Sequence, residues 1–64
     1  MIVETLDNRI YLVTEATDPR LDHCWYGQRV KRQGKKFVLT AAAAKEPNRR
    51  MLVSKAHLYR VLED

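Results

Sequence analysis

The sequence predicts a mostly β domain, a small barrel of about five antiparallel strands with one short helical turn. Three observations carry that expectation. Runs rich in β-branched and aromatic residues are short and separated by turn residues. Two of them flank a Gln-Gly pair as the arms of a hairpin would, and the one strong helix-forming run, Ala41 to Glu46, is too short to hold as a helix alone. With 64 residues, two glycines and two prolines, the chain has room for a single domain, residues 1–64, around one small core.

The elements follow in chain order. Arg9 to Thr14, RIYLVT, lies between Asp7-Asn8 and Asp18-Pro19 and reads as a strand, with Met1 to Leu6 as its beginning. Glu15 to His23 holds Asp18-Pro19 and has no apolar periodicity, which predicts a loop. Trp25 to Arg32 and Lys35 to Thr40 form the clearest local signal, a β-hairpin turning at Gln33-Gly34 with glycine supplying a positive φ. That turn pairs Arg32 with Lys35, Lys31 with Lys36 and Val30 with Phe37. Alternation then points Val30, Phe37 and Leu39 inward and places Arg29, Lys31 and Lys36 on the opposite face, with Arg32 and Lys35 at the tip. Ala41 to Glu46, ended by Pro47-Asn48, favours helix but is short enough to be one helical turn or the tail of a strand. Met51-Leu52-Val53 reads as a further strand. After Ser54, a single turn over Lys55 to Tyr59 leads into a final strand, Arg60-Val61-Leu62; a terminal helix capped by Ser54 is the alternative.

Charge is segregated along the chain. Met1 to Asp22 carries two basic and five acidic residues, whereas Gln28 to Arg60 carries ten basic residues and one acidic residue, Glu46. Five cations crowd one predicted hairpin. Like charges on neighbouring strand positions are mildly destabilising, so the cluster invites an anionic partner. The lone cysteine, Cys24, has no internal disulfide partner and suits a reducing, cytoplasmic setting. No apolar run approaches the roughly 18 residues of a membrane span, so no membrane partner is expected.

The hairpin YGQRVKRQGKKFVLT and the ending MLVSKAHLYRVLE together resemble an SH3-like small β-barrel, of the KOW and Tudor pattern, over about Arg9 to Glu63. In such barrels a strand, a 3₁₀ turn and a last strand close the fold. The aromatic ALYDY-type run of the signalling SH3 domains is absent, so that resemblance does not imply binding of proline-rich peptides. A winged-helix-like α+β domain, with Lys31 to Lys36 as the wing and Ser54 to Leu62 as a helix, is the alternative architecture.

Catalytic and metal chemistry is not expected. Gly27 and Gly34 are isolated, so no phosphate-cradling loop exists, and His23-Cys24 lacks the further ligands of a metal site. A nucleophilic Cys24 would need His57 as base and an oxyanion site that nothing in the sequence builds. The expected function is that of a small basic nucleic-acid-binding accessory or regulatory module with no cofactor, on DNA rather than RNA. It would contact phosphates through Arg29, Lys31, Arg32, Lys35, Lys36, Arg49 and Arg50. Trp25 alternates onto the side of Arg29 and Lys31, where it is either a stacking platform or the core tryptophan, while Tyr26 falls on the side of Val30. Tyr11 is expected to be an ordinary exposed tyrosine. The alternative is a protein-interaction module or phage-type inhibitor docking on an acidic partner surface. Size and a start at Met1 suggest a phage, plasmid or similar mobile element, and assembly as a homo-oligomer is open.

Overall fold

A computed structural model describes all residues, Met1–Asp64. The chain forms β1 (Ile2–Thr5), β2 (Ile10–Glu15), β3 (Cys24–Gln33), β4 (Lys36–Leu39), a short helix α1 (Ala41–Lys45), β5 (Met51–Ser54) and β6 (Leu58–Glu63), with 3₁₀ turns at Pro19–Leu21 and Lys55–His57. All six strands belong to one antiparallel sheet in the order β4-β3-β2-β1-β6, and β5 pairs with β3 beside β4. The terminal segment is a turn and a strand, not a helix, so the α+β alternative falls. No helix is long and apolar enough to cross a membrane.

One more strand forms than expected. Ile2–Thr5 does not begin the next strand but folds back on it, pairing Ile2 with Leu12, Val3 with Tyr11 and Glu4 with Ile10. The reversal is built at Asp7-Asn8. Asn8 takes φ of 65°, a left-handed conformation that Asn tolerates better than other side chains do. Thr5 N–H donates to Arg9 O at 2.9 Å and Asn8 N–H to Thr5 O at 3.0 Å. The new strand then sits centrally, with β2 on one edge and β6 on the other.

β3 is the long member, ten residues, and it organises the rest. One edge pairs with β2 from Trp25 to Val30. The other edge is divided end to end: Cys24 to Gly27 pair with β5, and Val30 to Gln33 pair with β4. No ladder joins β5 to β6, so the sheet curls without hydrogen-bonded closure into a barrel. The curl is nonetheless what makes a core. Val3, Tyr11, Val13, Trp25 and Val53 form one buried cluster with no second layer to cover it, and only a sheet bent around its own concave face can bury them. Met1 and Leu58 pack against this cluster. Burying Trp25 alone removes about 200 Å² from water, on the order of 5 kcal/mol before entropy is counted. Gly27 makes the close approach possible, because a Cβ there would lie 2.6 Å from Val53 Cγ2.

The core corrects the expectation for Tyr11 and decides the one left open for Trp25. Tyr11 is only 6% exposed and Trp25 likewise 6%. Both belong to the concave face, on the side opposite Val30. The Val30 side also carries apolar groups, with Val30 buried and Phe37 and Leu39 half-buried. It is not where the five-residue cluster lies.

The hairpin register is also corrected. Gln33 pairs with Lys36, Arg32 with Phe37, Lys31 with Val38 and Val30 with Leu39, so the two-residue loop is Gly34-Lys35 rather than Gln33-Gly34. Gly34 takes φ of 63° at the first central position of the turn, as in a type II′ hairpin, whose twist matches the strands. Moving the turn by one residue changes every partner by two, and such a change leaves each side chain on its original face.

Candidate nucleic-acid interface

The sorting of hairpin side chains therefore survives the register change. Arg29, Lys31 and Lys36 share one face of the β3–β4 ribbon, Arg32 lies on the other with Phe37, and Lys35 occupies the turn. All five are exposed. The Arg32 guanidinium lies 4.9 Å from the centre of the Phe37 ring, a cation–π contact that holds the arginine along the ribbon. Because Trp25, Gly27, Arg29 and Lys31 alternate onto the same side of β3, one face of this strand is apolar at its start and cationic at its end.

Ion pairing divides the molecule in the same way. Glu4 pairs with Arg60 at 2.7 Å, Asp7 with Arg9 at 3.3 Å, Glu15 with Lys55 at 3.0 Å, Asp18 with Arg20 at 2.9 Å and Glu46 with Arg49 at 3.1 Å, while Asp22 lies 3.8 Å from His23. None of the five hairpin cations takes part. Glu4, Asp7, Glu15 and Asp18 are thus matched by cations outside the hairpin, and the field of the hairpin is left uncompensated. The pairing is visible in proton affinities. The Asp18 carboxyl is held below its ordinary range by the Arg20 side chain, and that of Glu15 by the Lys55 ammonium. Asp7 is lowered first by the Thr5 hydroxyl that donates to it and further by Arg9.

Trp25 is not available as a platform. Its ring faces the core, its Nε1–H donates to Glu15 Oε1 at 3.3 Å, and Lys55 Nζ sits 5.6 Å from the ring centre while bonding the same carboxylate. The Glu15–Lys55 bridge covers the edge of the indole. Stacking by this residue, one of the two readings the sequence left open, gives way to a core role.

Arg49 and Arg50 separate. Arg49 lines a groove of about 600 Å³ between α1, β3 and the start of β5, together with Arg29 and Lys45, whereas Arg50 does not line it. This groove opens where β3 changes partners. At Gln28 and Arg29 the edge of β3 lies between the β4 and β5 ladders, and the chain leaves that edge to form α1. Thr40 starts the helix, its hydroxyl accepting from Ala43 N–H at 3.3 Å, and the Gln28 side-chain amide donates to Pro47 O at 2.6 Å, pinning the return. Five residues of helix would not hold alone. The cap and the Gln28 bond place Lys45 opposite β3.

Lys45 is the residue that sequence reasoning missed. Its signal was Thr40 ahead of four alanines, an N-cap followed by strong helix formers, which fixes a turn that ends in Lys45. Among metal-ligating side chains, no three His, Cys, Asp or Glu groups come together. Comparison with protein-family models, with curated proteins and with solved structures finds no match to this chain.

Proposed function

We propose that this chain is a small nucleic-acid-binding module that grips the phosphate backbone, of DNA in the first instance, through the β3–β4 hairpin. One observation carries the reading. Arg29, Lys31, Arg32, Lys35 and Lys36 are all exposed on one projecting ribbon and none has a carboxylate partner, although six of the eight acidic side chains lie beside a cation or histidine elsewhere. Arg49 is paired with Glu46 at the groove beside α1, so the ribbon alone carries this grip. A cluster of this kind costs stability through self-repulsion, and phosphates relieve it while releasing counterions. Contacts of this sort supply affinity and orientation with little choice of sequence. An accessory role in the cytoplasm belongs to the same reading, which the free thiol of Cys24 supports.

Anisotropy of labelled duplex and single-stranded oligonucleotides tests it across a range of salt. If all five hairpin cations meet phosphates, log K falls with log salt at a slope near roughly −4.5 for a duplex. Lys31→Glu/Lys36→Glu is expected to abolish binding at physiological salt, and the milder Lys31→Gln/Lys36→Gln to reduce the slope by about 2. Absence of binding at low salt overturns the reading. Tight, nearly salt-insensitive capture of one acidic protein would establish the protein-docking alternative instead.

A further inference from the structure

We infer that the groove between α1 and β3 seats one unpaired nucleotide, which makes this module prefer single-stranded over duplex nucleic acid. The inference rests on the phosphate-gripping function proposed above and names the form of nucleic acid it takes.

The groove has the size, the charge and the position for that occupant. Its volume, about 600 Å³, falls in the volume range of small-ligand sites, and a nucleotide is a ligand of that class. A base pair within a duplex cannot enter such a cleft without leaving the stack, which costs a few kcal/mol that a single strand does not pay. Three cations line it, Arg29 from β3, Lys45 from the end of α1 and Arg49 from the following loop, and its only carboxylate is Glu46. Glu46 is engaged by Arg49 at 3.1 Å, so the net field inside favours an anion.

The walls are small and partly apolar. Gly27, Ala42, Ala43 and Met51 line the groove, and Met51 is 46% exposed in the absence of any partner. They offer a sugar and base van der Waals contact without a base-specific donor or acceptor. No aromatic ring lines the groove, so the seat holds its occupant by charge and by van der Waals contact rather than by stacking. Arg29 belongs both to this groove and to the cationic face of the hairpin that carries Lys31 and Lys36. A strand gripped by the hairpin therefore runs directly into the groove, and a positively charged groove that tracks the backbone is one part of how single-strand binders work.

Glu46 sets the sense of the test. Its carboxylate competes with a phosphate for Arg49, so removing its charge should improve binding, which a merely structural ion pair would not do. The probes are a labelled oligothymidine of about ten nucleotides and a blunt hairpin duplex of the same charge, titrated by anisotropy at two salt concentrations. The native chain is expected to prefer the single strand by roughly tenfold or more, because a duplex must first unstack a base. Lys45→Gln/Arg49→Gln should bring the single-strand affinity down to that of the duplex while leaving duplex binding through the hairpin in place. Glu46→Gln should raise single-strand affinity several-fold with no change for the duplex. Thermal melts of each variant separate loss of binding from loss of fold. Equal affinity of the native chain for both probes, or a preference unchanged in Lys45→Gln/Arg49→Gln, overturns the groove. Binding of neither probe at low salt is a different outcome, because it removes the phosphate-gripping function itself.

Discussion

The two ends of β3 obey opposite rules. Around Trp25 the polar groups have partners inside the molecule: the indole N–H, Glu15 and Lys55 form one chain of contacts. Around Lys31 and Lys36 the side chains are exposed and the charges unmatched. Same strand, same sheet and same face, yet one end is completed by the protein and the other is left for something else to complete. The contrast teaches where stability and binding are separable. Mutations at the first end should be read in unfolding, and mutations at the second in affinity.

The largest effect that can break this contrast is expected from Trp25→Ala. Removing a buried tryptophan costs about 3–5 kcal/mol, a large share of what a domain of this size holds, roughly 3–10 kcal/mol. Urea unfolding should show the variant substantially unfolded at 37 °C, while Lys31→Gln/Lys36→Gln stays within about 0.5 kcal/mol of the native chain. Similar stabilities for both variants would mean that the core does not lie on the concave face.

A smaller effect sharpens the hairpin end. Gly34→Ala meets open space, since no atom lies within 4 Å of the added Cβ, but it must hold φ of 63°. The cost is therefore conformational, about 1 kcal/mol, and Gly34→Asn should recover part of it because Asn tolerates the left-handed region. If the true loop were Gln33-Gly34, Gly34 would be the second central residue. Cross-strand backbone contacts in NMR between Arg32 and Phe37, against Lys31 and Lys36, decide between the registers.

The smallest effect is that of acid on the partnered carboxyls. The carboxyls of Asp7, Glu15 and Asp18 titrate below their ordinary values in the fold, held by Thr5, Lys55 and Arg20 respectively. Their contribution is fully present above the unfolded values, near 3.8 for Asp and 4.5 for Glu, and is lost as pH falls through the lower folded values. Tm should hold between about pH 7 and pH 5 and decline below about pH 4, with a shallower decline in Glu15→Gln. Asp7 and Glu15 are exposed and Asp18 is half-buried, so the change is small and salt weakens it. A fall in Tm that begins near neutrality would point to a different titrating group.

Much of this protein is set by local sequence. The strand at Arg9 to Thr14, the hairpin arms, the apolar Met51-Leu52-Val53 and the turn before the last strand each follow from residue types whose backbone preferences act over a few positions. The alternation that gathers Arg29, Lys31 and Lys36 is equally local, and a register error of two residues could not disturb it. Tertiary structure decided the rest. Ile2–Thr5 became a separate strand because Asp7-Asn8 could turn the chain and β2 and β6 could take both its edges. Trp25 and Tyr11 went inward because the sheet curls toward that side, and the direction of curl depends on strands far apart in sequence meeting along β3. The groove, with Lys45 and Arg49 brought to Arg29, exists only where two ladders share one edge of β3 and leave a gap between them. Local sequence can specify which residues alternate together; which face is buried, and where two strand partners meet, follow from long-range pairings that no short segment contains.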